Sequence, residues 1–229
     1  MIAEWSALVA KIAVWALPVL LAVSFHEAAH GYAAKWLGDD TAERAGRLTL
    51  NPLAHIDPFG TILLPLILLM VGGVAFGYAK PVPVRFARLR RPRRDAALVA
   101  LAGPATNILL AVIATMLLPI ALLLPDWLSQ WAQRMLQIMV FFNCVIAVFN
   151  MMPIPPLDGG RVAVAALPLP AARALARVEP YGMIVVLGLF FLLPMLSAMA
   201  GLGADPARLL IFEPSVRMAT GLLSLVGAA

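Results

Sequence analysis

Cysteine is nearly absent: among 229 residues there is one, Cys144, set within an apolar run. That excludes a disulfide framework and any Cys-x-x-Cys metal site, and leaves Cys144 as a small, buried apolar residue. Charge is scarce too. Asp, Glu, Lys and Arg make up 13% of the chain and hydrophobic residues 62%, whereas a soluble domain is about a quarter charged and about half apolar. A water-soluble globular domain is thereby excluded, and the chain reads as an integral membrane protein. Six arginines crowd between Arg85 and Arg94, beside an apolar helix. The net charge of +5 therefore marks a cytoplasmic membrane flank, with no nucleic-acid face and no nucleotide site expected. No internal repeat or low-complexity stretch is present, and the length suits one compact domain over residues 1–229.

Histidine is also rare, with three in all, yet two of them fall in His26-Glu27-Ala28-Ala29-His30. The approach, residues 12–25, contains no charged residue. Ionisable groups in such a setting are expensive and seldom kept without a function. On a helix of about 3.6 residues per turn, positions four apart share a face, so His26 and His30 can bind one metal ion together. Glu27 lies beside the pair, where it can take a proton from water activated by the metal. Two imidazoles leave a zinc ion short of a third protein ligand and an open water position.

The hydrophobic pattern predicts an all-α polytopic membrane bundle, with core helices at about 6–36, 96–124, 131–150 and 181–202. The first is expected to remain as an uncleaved membrane helix, since it is longer than a signal-peptide core and runs straight into the histidines. Residues 38–58 are polar and turn-rich, a loop with room for short strands. Residues 209–226 are apolar but interrupted at Glu213-Pro214, and fit either a last span or an interfacial helix.

Two residues compete to complete the metal site. His55 lies in a polar loop, which suits a turn residue or a group supporting a ligand. Asp158 follows a helix break and precedes Gly159-Gly160; it reads either as a helix N-cap or as a carboxylate whose best intramembrane partner is a cation. Topology couples the choices. With Arg85–Arg94 in the cytoplasm, the helix from residue 96 runs outward and the next returns to deliver Asp158 to the cytoplasmic side. For the histidines to meet it, the first helix must run inward, in keeping with Lys35, Arg44 and Arg47 after it. Residues 61–76 then enter and return, turning at Gly72-Gly73, so that residues 61–84 form a re-entrant or short-strand region. Its edge offers a place for an extended substrate.

These residues resemble the site-2 proteases, intramembrane zinc metalloproteases, in their compact prokaryotic form. The resemblance rests on Phe25-His26-Glu27-Ala28-Ala29-His30-Gly31, Asn51-Pro52 with Asp57-Pro58-Phe59-Gly60-Thr61, Gly77-Tyr78-Ala79-Lys80-Pro81-Val82-Pro83-Val84, Ala102-Gly103-Pro104-Ala105-Thr106-Asn107, and Asn150 through Asp158-Gly159-Gly160-Arg161. It implies one zinc ion per chain held by His26, His30 and Asp158, with Glu27 as general base. It also implies that Asn150 and Pro153 hold substrate backbone, and Asn107 is carried over beside them. The implied activity is cleavage of transmembrane segments of membrane proteins, in the cell (inner) membrane with the active site toward the cytoplasm. Neither a PDZ-like insertion between the core helices nor a C-terminal nucleotide-binding tail is expected. Two rival readings use the same residues. A metal transporter would show further polar waypoints across the membrane, and a structural zinc site is usually closed by four protein ligands.

Overall fold

The computed structural model of the chain describes residues 2–63, 79–203 and 205–228. Its elements are α1 (Ile2–Trp36), α2 (Pro92–Ala121), α3 (Asp126–Asn150), α4 (Asp158–Ala166), α5 (Leu169–Ala176), α6 (Gly182–Leu187), α7 (Leu193–Met199) and α8 (Glu213–Ser224). Among the described residues there is no strand, and the protein is a multi-pass helical membrane bundle. Helices spanning Pro92–Ala121, Asp126–Asn150 and Leu169–Met199 are each long and apolar enough to cross a membrane. The turn expected at Gly72-Gly73 lies outside the described residues.

Helices α1, α2 and α3 pack on one another, α4 leans on α2, and α8 covers α3 and α2. Small residues make this close approach feasible. Ala22 and Ala28 of α1, Ala111, Ala114 and Ala121 of α2, and Ala132 and Ala147 of α3 are all buried. Large residues such as Ile108, Leu109, Met116 and Ile120 point outward instead, as a lipid-facing surface requires.

Helix boundaries follow local chemistry that a hydropathy pattern does not register. α1 stops at Gly38, whose φ of +113° suits glycine. There the Gly38 N–H donates to Lys35 O and the Asp39 N–H to Ala34 O, the paired bonds of a Schellman motif. α2 begins at Pro92, before its apolar stretch, because Pro92 fits the first helical turn and buried Asp95 reaches back to accept from the Arg91 N–H at 2.7 Å. The 181–202 span is helical over residues 182–199 but irregular. Pro194 lacks the N–H that would continue the ladder, and the preceding turn widens into a π-turn at Gly188–Leu192. Pro214 does the same to Arg208–Phe212 ahead of α8.

The loop after α1 holds helical turns where strands had room, Thr41–Arg44 and Pro52–His55. Asn51 caps the second by accepting from the Leu53 N–H at 3.1 Å. Asp39 is fully buried and ties this loop to the segment before α2. Burial opposes its ionisation, but hydrogen bonds from the Thr41 hydroxyl and from the N–H groups of Arg85 and Thr41, with the Arg88 charge, hold its carboxyl below the usual carboxylate range. The Lys80 N–H donates to His55 O at 2.9 Å, so the chain stands at the same end of the bundle at residues 55 and 80.

Candidate metal centre

The structure brings His26, His30 and Asp158 together. The two Nε2 atoms are 3.0 Å apart, and Asp158 Oδ2 lies 3.2 Å from that of His26 and 3.4 Å from that of His30. His26 and Asp158 are buried and His30 is half-buried. The outer nitrogens explain why the inner ones face each other. His26 Nδ1 is 2.6 Å from Asn107 Oδ1, and His30 Nδ1 is 2.7 Å from Val99 O. Both partners are oxygen acceptors, so each Nδ1 carries the hydrogen and each neutral ring offers a bare lone pair at Nε2. The Asn107 amide cannot be reversed without loss, because its Nδ2 donates to Ala22 O at 3.0 Å and to Asn143 Oδ1 at 2.8 Å.

With both rings neutral, three electron-pair donors converge with no hydrogen between them. Among the described residues Asp158 Oδ2 has no hydrogen-bond partner, even though two ring nitrogens lie close by. A buried carboxylate oxygen facing two lone pairs is strongly unfavourable unless a cation neutralises them. Ligands at 2.0–2.2 Å around a tetrahedral zinc ion lie about 3.3–3.6 Å from one another, close to the spacing found. The donor set fits zinc and supplies three of its four tetrahedral ligands. Among the described residues it is the sole cluster of its kind.

The surrounding backbone is shaped to leave this space. A Cβ added to Gly103 of α2 would lie 2.5 Å from His26 Cε1 and 2.6 Å from His30 Nε2. Gly103→Ala is therefore expected to weaken zinc binding about 10–100-fold, the range for disturbing groups that orient metal ligands. Zinc titration of the purified variant checks this, and wild-type affinity would refute it. Asp158 sits in the first turn of α4, whose N-cap is Leu157, with no side-chain cap bond. The cap position thus falls to Leu157, and Asp158 stands beside the two histidines. Gly159 and Gly160 are needed because Cβ atoms there would lie 2.2 Å from Met151 O and 2.4 Å from Pro155 N.

Glu27 is half-buried, and its Oε2 accepts from the Val82 N–H at 2.9 Å. Asn150 ends α3, half-buried, with Nδ2 donating to Ile146 O at 3.1 Å, and Pro153 is exposed in the turn leading to Asp158. Asn107, placed beside them as a substrate contact, is fully buried behind His26 with both amide hydrogens used. His55 is buried away from the cluster, its Nε2 donating to Thr49 O at 2.9 Å. The contributions of Gly103, Val99, Asn143 and Val82 were not read from the sequence. Of these only Asn143, a lone amide in an apolar helix, carried a usable signal.

A multi-pass helical bundle holding two histidines, a carboxylate and a neighbouring glutamate has the parts of a membrane metallohydrolase. Residues 14–125 and 119–193 match the model of peptidase family M50. The chain is 42% identical over 196 residues to YwhC of Bacillus subtilis (strain 168), provisionally named a zinc metalloprotease, a match covering 80% of this chain and 86% of that one. It is 32% identical over 168 residues to Rip2 of Mycolicibacterium smegmatis and 31% identical over 172 residues to Rip2 of Mycobacterium tuberculosis H37Rv, both provisionally named zinc metalloproteases. These matches cover 73% and 75% of this chain but 62% and 64% of the Rip2 proteins, under two thirds of their length. No solved structure matches. The chain belongs to peptidase family M50, the site-2 protease family, and is a peptide hydrolase of the zinc-metalloprotease type.

Proposed function

We propose that this protein is a zinc-dependent intramembrane endopeptidase that cleaves transmembrane segments of membrane proteins from the cytoplasmic side of the cell (inner) membrane. The observation carrying this reading is the convergence of His26 Nε2, His30 Nε2 and Asp158 Oδ2 within 3.0–3.4 Å of one another. These three residues would hold one zinc ion per chain. Bound there, zinc lowers the pKa of water to about 7 and polarises the scissile carbonyl.

Glu27 takes the proton of the attacking water and returns it to the leaving amine. Asn107 keeps His26 in the tautomer that presents Nε2, and Asn143 keeps Asn107 in place. Asn150, the last residue of α3, and Pro153, in the turn beyond it, would supply hydrogen bonds and shape to an unwound substrate backbone. A helical substrate has to open locally, because its peptide bonds are covered and already paired.

Orientation follows from charge. His26 and His30 lie late in α1 and Asp158 just beyond α3, beside Val99 and Gly103 of early α2, all at the end bearing Arg85 to Arg94. Positive-inside reasoning places that end in the cytoplasm. The hydrogen bond from the Lys80 N–H to His55 O joins the loop after α1 to the segment before α2. A single cluster among the described residues favours hydrolysis over a transport path with several waypoints.

The test is cleavage of a single-span substrate by purified protein reconstituted in liposomes, before and after chelation. Cleavage is expected to stop on metal removal and to return with added zinc. Undiminished cleavage by metal-free protein would overturn the reading.

A further inference from the structure

We propose that the backbone N–H of Val82 is the positioning group for Glu27, and that Gly31 is small so that Val82 can approach. The inference rests on the reading of Glu27 as general base. The Val82 N–H donates to Glu27 Oε2 at 2.9 Å. Val82 itself is buried against α1 at Gly31. A Cβ on Gly31 would lie 2.9 Å from Val82 Cγ1 and 2.9 Å from Leu48 Cδ1. Glu27 and Gly31 are four apart and share one face of the helix, so the residue seated over Gly31 is the one whose amide reaches the glutamate.

The segment carrying Val82 is held from several directions. The Lys80 N–H donates to His55 O at 2.9 Å, and Lys80 O accepts from Arg47 at 3.0 Å. Arg47 also donates to Ala54 O, and the Arg85 N–H donates to the Asp39 carboxylate. Pro81 and Pro83 fix the backbone on either side and have no N–H, which leaves Val82 as the sole amide donor from 81 to 83. The same prolines strip donors from alternate positions of an extended segment, so one edge can only accept hydrogen bonds. With Oε2 held by the Val82 N–H, the Glu27 carboxylate is oriented and Oε1 is the oxygen that takes the proton. A base within reach but free to rotate spends much of its time misdirected.

The experiment compares kcat, KM and zinc content for Val82→Pro, which removes the N–H, Val82→Ala, which keeps it, and Gly31→Ala, which wedges the segment away. Val82→Pro and Gly31→Ala are expected to lose about 10- to 100-fold in kcat, the scale of one hydrogen bond to a charged group, with KM and zinc content near wild type. Val82→Ala is expected to stay within about threefold, since the donor survives. A zinc-loaded Val82→Pro with wild-type kcat would overturn the proposal, as would Val82→Ala falling as far as Val82→Pro. If Val82→Pro fails to fold, Gly31→Ala decides by the same kcat criterion. Glu27→Gln run in parallel separates the two levels. Full activity there would remove the base assignment itself, whereas a dead Glu27→Gln beside a fully active Val82→Pro removes only the positioning role.

Discussion

Glu27→Gln is expected to bind zinc as the wild type does and to lose at least about a thousandfold in kcat, within the range attributed to general acid–base catalysis. The substitution preserves shape. A glutamine oxygen can still accept from the Val82 N–H that holds Glu27 Oε2 at 2.9 Å, so the segment before α2 keeps its seat. What disappears is an oxygen able to take a proton near neutral pH. Zinc content and kcat measured on one preparation separate the two contributions. Retained activity would remove Glu27 as the base, and lost zinc would make it part of the metal site.

Asp158→Ala is expected to weaken zinc binding by more than about 100-fold, since groups that merely orient ligands are already worth 10–100-fold. Its effect on the zinc-free protein should have the opposite sign. Without a cation, wild-type Asp158 Oδ2 is buried, lacks a hydrogen-bond partner among the described residues, and faces two lone pairs. With both imidazoles neutral, removing that carboxylate removes an uncompensated group, so the metal-free variant should then unfold at a temperature no lower than metal-free wild type. A helix cap would behave otherwise, because its loss destabilises by about 1 kcal/mol whether or not metal is present. Thermal unfolding of both proteins after chelation distinguishes the roles.

The spacing of His26, Glu27 and His30 was legible because it depends on a single helix and its periodicity. Asp158 was only half legible. The sequence offered a cap or a ligand, and the choice depends on contacts between residues more than a hundred positions apart. Gly103 was legible as part of a motif but not as a space, since a glycine in an apolar helix gains meaning only when its neighbour is known. Asn107 shows the converse: its motif was recognised, yet its full burial behind His26 could not be read from the residues around it. Helix starts were misplaced where charged first turns extend beyond the apolar stretch, as at Pro92–Arg93–Arg94–Asp95. The π-turns before Leu193–Met199 and Glu213–Ser224 reflect prolines whose effect on the preceding turn a hydropathy pattern does not carry.

The most direct test of intramembrane hydrolysis is to map the bond that is cut. A single-span substrate with water-exposed flanks is reconstituted in liposomes with the zinc-loaded enzyme, and both product termini are read by mass spectrometry. The expected result is a cut within the apolar span, toward its cytoplasmic half, made by the wild type and not by Glu27→Gln. Cuts confined to the exposed flanks would contradict it.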